Sequence, residues 1–221
     1  MNLRYPGILA SSVVLAVAIA ACATSTPQTA GTFFVTSKGG GKGADFGGLE
    51  GADKHCQTLA AAAGLGDKTW RAYLSTQASG STPAVNAKDR IGTGPWRNVN
   101  GVIIATNVNE LHDNNNITKQ TALTEKGTVV AGRGEPGTQH DILTGTQMNG
   151  TAFAAGEDKT CGNWTKSGND GSAIVGHSDR NGNGPPPDGP SWNSSHATKG
   201  CSDPGLVSTG GAGYLYCFAA K

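Results

Sequence analysis

The chain reads as an α+β domain of short strands, one or two helices and long loops, held by disulfides. Three observations point that way. A single stretch, Gly51 to Ala63, carries a helical apolar repeat. Around it lie short apolar runs of strand composition, bounded by Gly, Asn, Asp or Pro. Of the five cysteines, four (Cys56, Cys161, Cys201 and Cys217) lie far from the N-terminus. That even number suits pairing in an oxidising compartment. With 34 glycines among 221 residues and only 6% aromatics, the sequence favours loops over long helices. The formal net charge is +1, and no Lys/Arg cluster forms a stripe, so nucleic acid is not an expected partner.

The N-terminus has a positive Arg4, then an apolar stretch from Ile8 to Ala21 broken only by Ser11 and Ser12. That stretch is short for a membrane span and suits a signal peptide. It ends in Ile19-Ala20-Ala21-Cys22, which resembles the bacterial lipobox, where small residues precede a cysteine that is lipidated. Residues 1–21 are therefore expected to be a lipoprotein signal peptide, with Cys22 the lipidation site. An ordinary signal peptide cut near Ala21 or Ala23 is the alternative. Acyl chains bind a bilayer at ~0.8 kcal/mol per buried CH2, so a multiply acylated cysteine anchors stably. Residues 22–30 are small and polar, as a flexible tether should be. The expected location is the bacterial cell envelope. Ala23 lacks the aspartate that retains some lipoproteins at the inner membrane, which hints at the outer one.

Residues 31–221 then form one domain, without internal repeat or clear boundary. Gly31 to Ser37 opens it as a strand, and Gly39 to Gly43 is a flexible turn without phosphate-loop spacing. In the helix, Ala52, Cys56, Leu59, Ala60 and Ala63 recur at spacings of three and four, so Cys56 faces the core; Gly64 and Gly66 stop it. Thr69 to Ser75 alternates like a strand. Val102 to Ala105 is the clearest buried strand of the middle region, and Thr128 to Ala131 a weaker one. Ile142 to Thr146 is a short strand and turn, Gly176 to Pro190 a long loop, and Tyr214 to Phe218 the closing strand.

The order of these landmarks resembles the C-type lectin-like fold, in its endostatin-like branch (the C-terminal domain of certain collagens). Phe46-Gly47-Gly48-Leu49-Glu50-Gly51-Ala52-Asp53-Lys54-His55-Cys56-Gln57 leads through Ala63-Gly64-Leu65-Gly66 into Trp70-Arg71-Ala72-Tyr73-Leu74-Ser75. This is similar to the family's Gly-rich turn, Gly-Ala-Asp helix start, helical cysteine and aromatic-Arg-Ala-aromatic-Leu-Ser strand. Asp89-Arg90, Pro95-Trp96, Leu143-Thr144-Gly145-Thr146 with Asn149-Gly150, Cys161 with Trp164-Thr165, Cys201 and Cys217 complete the order. Coverage is nearly the whole domain; residues 77–137 match least. The resemblance implies a mixed, mostly antiparallel sheet and two nested disulfides, Cys56–Cys217 and Cys161–Cys201. The cysteines alone leave three connectivities open. Loops of about 160 and about 40 residues should each remove roughly 4–5 kcal/mol of unfolded-chain entropy, less than additively because they are nested.

Calcium-dependent sugar binding in that fold uses a Glu-Pro-Asn and a Trp-Asn-Asp segment. Here Glu135-Pro136-Gly137 precedes the 142–146 strand, and Trp192-Asn193-Ser194 carries Ser in place of the Asp ligand. The usual calcium shell is therefore not expected. Asp179-Arg180-Asn181-Gly182-Asn183-Gly184 has EF-hand-like oxygen spacing, but Pro190 holds the twelfth position. Asp179, Asn181, Asn183 and Asp188 are the candidate calcium ligands, and an Asn/Gly turn is the metal-free reading.

His177, Asp179 and His196 flank the same long loop, with His112-Asp113 and His140-Asp141 elsewhere. Such a cluster suits zinc or acid–base chemistry, although no pair has helical metal-ligand spacing. Endostatin's N-terminal zinc histidines and heparin-binding arginines have no counterparts here. No Gly-x-Ser-x-Gly elbow occurs, and no catalytic residue is assigned. His177, Asp179, Trp192, Asn193 and His196 are the candidate ligand-binding residues, on a face formed by loops 145–158 and 176–196. The expected function is a non-enzymatic binding module for a glycan, envelope polymer or protein. A structural envelope lipoprotein and a hydrolase using His177, Asp179 or His196 are the alternatives.

Overall fold

The computed structural model describes residues 1–3, 31–180 and 191–220. In chain order the elements are β1 (Phe33–Val35), α1 (Gly48–Ala62), β2 (Thr69–Ala72), β3 (Trp96–Arg97), β4 (Ile103–Ala105), α2 (Val108–His112), β5 (Asp141–Leu143), α3 (Cys161–Trp164), β6 (Ile174–His177), β7 (His196–Ala197), α4 (Asp203–Val207) and β8 (Gly211–Ala220). The architecture is α+β, with a main sheet in the order β1-β8-β5-β6-β7, β2 also pairing with β8, and a separate β3–β4 ribbon. Every pairing in it is antiparallel except β5 with β8.

The last strand is the spine. Its side chains alternate between two apolar layers. Leu215, Cys217 and Ala219 pack with Cys56, Leu59, Trp70 and Trp164. Tyr214, Tyr216 and Phe218 pack with Phe33, Tyr73, Ile142 and Trp192. A strand buried on both faces needs a continuous apolar run rather than alternation, and Tyr214 to Ala219 supplies it. Helix α1 buries Ala52, Cys56, Leu59 and Ala60, four of the five positions that its sequence period selects; Ala63 is half-buried, and Asp53, from the polar face, is buried as well.

Two disulfides join Cys56 to Cys217 and Cys161 to Cys201, with Cα atoms 5.7 Å apart in each. The pairing is the one the resemblance implies. The outer bridge staples α1 to β8 across the first layer. The inner one ties α3, a single turn in which Cys161, Gly162, Asn163 and Trp164 all take positive φ, to the loop before α4. Among the described residues, no helix is long and apolar enough to cross a membrane.

The middle region departs from expectation. Val102 and Ile103 are exposed at 43% and 38%, so β4 is a half-buried ribbon strand, not a fully buried one. Val129 is 51% exposed, and Thr128 to Ala131 forms only an isolated bridge with Leu123 rather than a strand. Each run gives only part of its side chains to the second layer: Ile104, Ala105 and Val130 are buried there, while Val102, Ile103 and Val129 face outward. Residues 174–177, by contrast, form a fully buried strand where a loop starting at Gly176 was expected. A glycine sits there because a Cβ would lie 1.8 Å from the Trp192 carbonyl oxygen.

Candidate functional site

The site lies at one end of the β5–β6–β7 part of the sheet. Asp141 opens β5 and is the direct partner of His177, which closes β6. His196 opens β7 opposite Val175, two residues before His177. Cross-strand partners share a face, as do residues two apart on one strand, so Asp141, His177 and His196 project together. His140, just before β5, turns its ring into the same space.

All of these side chains except His196 are withdrawn from solvent: His140 is 5% exposed, His177 4% and Asp141 0%, against 31% for His196. The Asp141 carboxylate is the focus. Its Oδ1 lies 3.2 Å from His140 Nε2 and 3.4 Å from His177 Nε2, and its Oδ2 lies 3.6 Å from His196 Nε2. One donor atom each from His140, Asp141 and His177 falls within 4.8 Å of the others. The His140 and His177 rings stack at 4.4 Å, and the His196 ring meets His177 edge-on at 5.0 Å.

Asp179 orients the His140 ring, and a neutral ring there has one favoured tautomer. Its Nδ1 sits 2.8 Å from Asp179 Oδ1, so Nδ1–H donates to that carboxylate, and a neutral ring then turns the Nε2 lone pair toward Asp141. Asp179 is fixed in turn by the Arg133 backbone N–H, which donates to its Oδ2 at 2.8 Å. Neither Asp141 oxygen accepts a hydrogen bond among the described residues, and neither nitrogen of His177 makes one. Burial is the largest cause holding the His177 imidazole down at about 4; the neighbouring His140 adds to it, and the Asp141 charge opposes it. A cavity of about 350 Å³ opens above the group, lined by Arg133, Gly134, Thr138, His140, His177, His196 and Thr209.

Three of the candidate ligand-binding residues, His177, Asp179 and His196, thus come together. Trp192 and Asn193 do not join them. Both are buried, Trp192 against Tyr73 and Tyr216, and Asn193 with its amide donating to the Tyr73 hydroxyl and to the carbonyls of Gln147 and Met148. Of the candidate calcium ligands, Asn181, Asn183 and Asp188 lie outside the described residues, and Asp179 is engaged by His140 and Arg133. Glu135 pairs with Lys119 and accepts from the Gly132 backbone N–H.

The His140-Asp141 pair is the part of the site that sequence reading left apart from His177 and His196. The local signal for it is the apolar pair Ile142-Leu143 directly after Asp141; the matching run toward His177 is interrupted by Gly176. The cavity also draws on residues 133–138 and Thr209, outside the two loops first expected to bind. No protein-family model and no curated protein matches this chain.

Proposed function

We propose that this chain is a lipid-anchored, extracytoplasmic binding module of C-type lectin-like build, which engages a glycan, an envelope polymer or a protein over the histidine-lined cavity. The observation that carries this reading is where the unsatisfied chemistry lies. Buried polar groups are ordinarily hydrogen-bonded, and groups that are not call for an explanation. Here Asp141 and His177 stand beneath an open cavity, beside the half-exposed His196 and the exposed Arg133. Ligand sites commonly pair such a concavity with a few convergent polar groups. Two disulfides suit an oxidising compartment. The lipobox-like Ile19-Ala20-Ala21-Cys22 supports the anchor.

The test is a pull-down of the chain on isolated bacterial envelope polymers and a glycan array, with Arg133→Ala and His196→Ala beside the wild type. Binding that falls at least tenfold in both variants is expected. Binding unchanged in both would move the site elsewhere. No binding on any surface would favour a structural envelope role, and turnover of a bound polymer would favour the hydrolase.

A further inference from the structure

We propose that His140, Asp141 and His177, with His196 at the mouth, form a site for one divalent transition ion of the zinc class. The inference rests on the reading of this cavity as the place where the module binds, and it names the first thing bound there. Its basis is a contradiction in the metal-free chemistry. His140 gives its only neutral-state proton to Asp179, so its Nε2 is an acceptor. It faces Asp141 Oδ1, also an acceptor, at 3.2 Å. His177 adds a further imidazole nitrogen at 3.4 Å, with no hydrogen bond to either ring nitrogen among the described residues. Lone pairs turned on one another in a buried space repel unless a metal ion or a proton lies between them. An unpaired buried carboxylate is costlier still.

The distances fit an ion. Zinc holds His nitrogen and carboxylate oxygen at about 2.0–2.2 Å, and in a tetrahedron of that radius neighbouring ligand atoms lie about 3.4 Å apart. Asp141 Oδ1 stands 3.2 and 3.4 Å from the Nε2 atoms of His140 and His177, while His196 Nε2 lies 3.6 Å from the other oxygen, Oδ2. The ligand types choose the metal class: imidazoles suit zinc, copper, iron and nickel, whereas calcium takes all-oxygen shells. The Asp179–His140 bond is the outer partner that metal-ligating histidines ordinarily have, fixing ring and tautomer. A proton on His140 or His177 is the rival way to resolve the contact.

The probe is zinc chloride, titrated calorimetrically at pH 7.5 into the chelator-treated full chain with its disulfides intact. Expected are one ion per chain, at least 100-fold weaker binding in Asp141→Asn, and 10–100-fold weaker binding in Asp179→Asn. Calcium in excess should not compete. Asn at 141 removes a buried charge and should leave the fold intact; should it not, His196→Gln at the mouth is expected to weaken zinc at least tenfold and serves as the second variant. No saturable zinc binding would overturn the site in favour of a proton. Stoichiometric zinc untouched by either the Asp141 or the His196 variant would overturn it in favour of another location. Zinc binding that holds while envelope polymers fail to bind would sink the proposed function alone.

Discussion

Asp53 and Asp141 are both buried carboxylates on core-facing elements, and their surroundings are opposite. Asp53, on α1, accepts from the Ala72 backbone N–H at 2.9 Å, from Arg71 at 2.7 Å and from Arg90 on both oxygens at 2.9 and 2.7 Å. Two guanidiniums and an amide leave its charge compensated, and it ties α1 to β2. Asp141, on β5, faces three imidazole nitrogens and, among the described residues, accepts no hydrogen bond. A carboxylate that is supplied with donors holds a fold together. One kept from donors at comparable burial is poised for something that arrives from outside. The same contrast separates the site from His112 and its partners Tyr73 and Asn193. His112 donates from Nδ1 to the Val108 carbonyl and accepts at Nε2 from Tyr73, whose oxygen also receives the Asn193 amide. Every polar atom of that trio has a partner, so it reads as structure.

Removing the compensated carboxylate should have the largest effect. Asp53→Ala strands Arg90, whose side chain is 11% exposed. Breaking a buried pair in this way costs about 3–5 kcal/mol, read as a lower urea midpoint that zinc does not alter. A loss under 1 kcal/mol would show Asp53 is no more structural than Asp141. Next is Tyr73→Phe, which deprives His112 and Asn193 of their shared hydroxyl. It should cost about 1–3 kcal/mol while leaving zinc affinity unchanged. Loss of zinc binding in that variant would erase the distinction between the site and the His112 trio.

The smallest effect is on pH. In the metal-free protein, the burial of His177 holds its imidazole at about 4, against an ordinary 6.5. Between those values the unfolded chain binds the extra proton and the folded chain does not, so stability rises with pH across the window. His177 therefore contributes fully above about 6.5 and is lost as pH falls toward 4. An NMR titration should find its ring neutral at pH 5.5, and a ring protonated at that pH would favour the proton over the ion.

How much of this was legible beforehand follows from locality. Helix α1 and the closing strand were readable because a 3.6-residue period and an unbroken apolar run are local signals, and Cys56 faced inward as its period required. The disulfide partners came through resemblance, since spacing does not choose among connectivities. Strand β6 was obscured by Gly176, whose role depends on the Trp192 carbonyl lying against it, a contact that no local pattern encodes. The convergence of the site was hidden for a related reason. Asp141 meets His177 only through one particular β5–β6 register, and a shift of one residue would turn His177 to the opposite face. Trp192-Asn193 stands where the lectin-like fold keeps a Trp-Asn-Asp ligand segment, but both side chains are committed to packing around Tyr73.

The most direct measurement of the central claim is anomalous diffraction at the zinc edge from crystals grown without chelator and soaked in zinc. One strong peak per chain is predicted, about 2.0–2.2 Å from His140 Nε2, His177 Nε2 and an Asp141 oxygen, and absent from Asp141→Asn crystals. A map with no peak at Asp141 in wild-type crystals, or a peak only at a distant surface histidine such as His55, would contradict it.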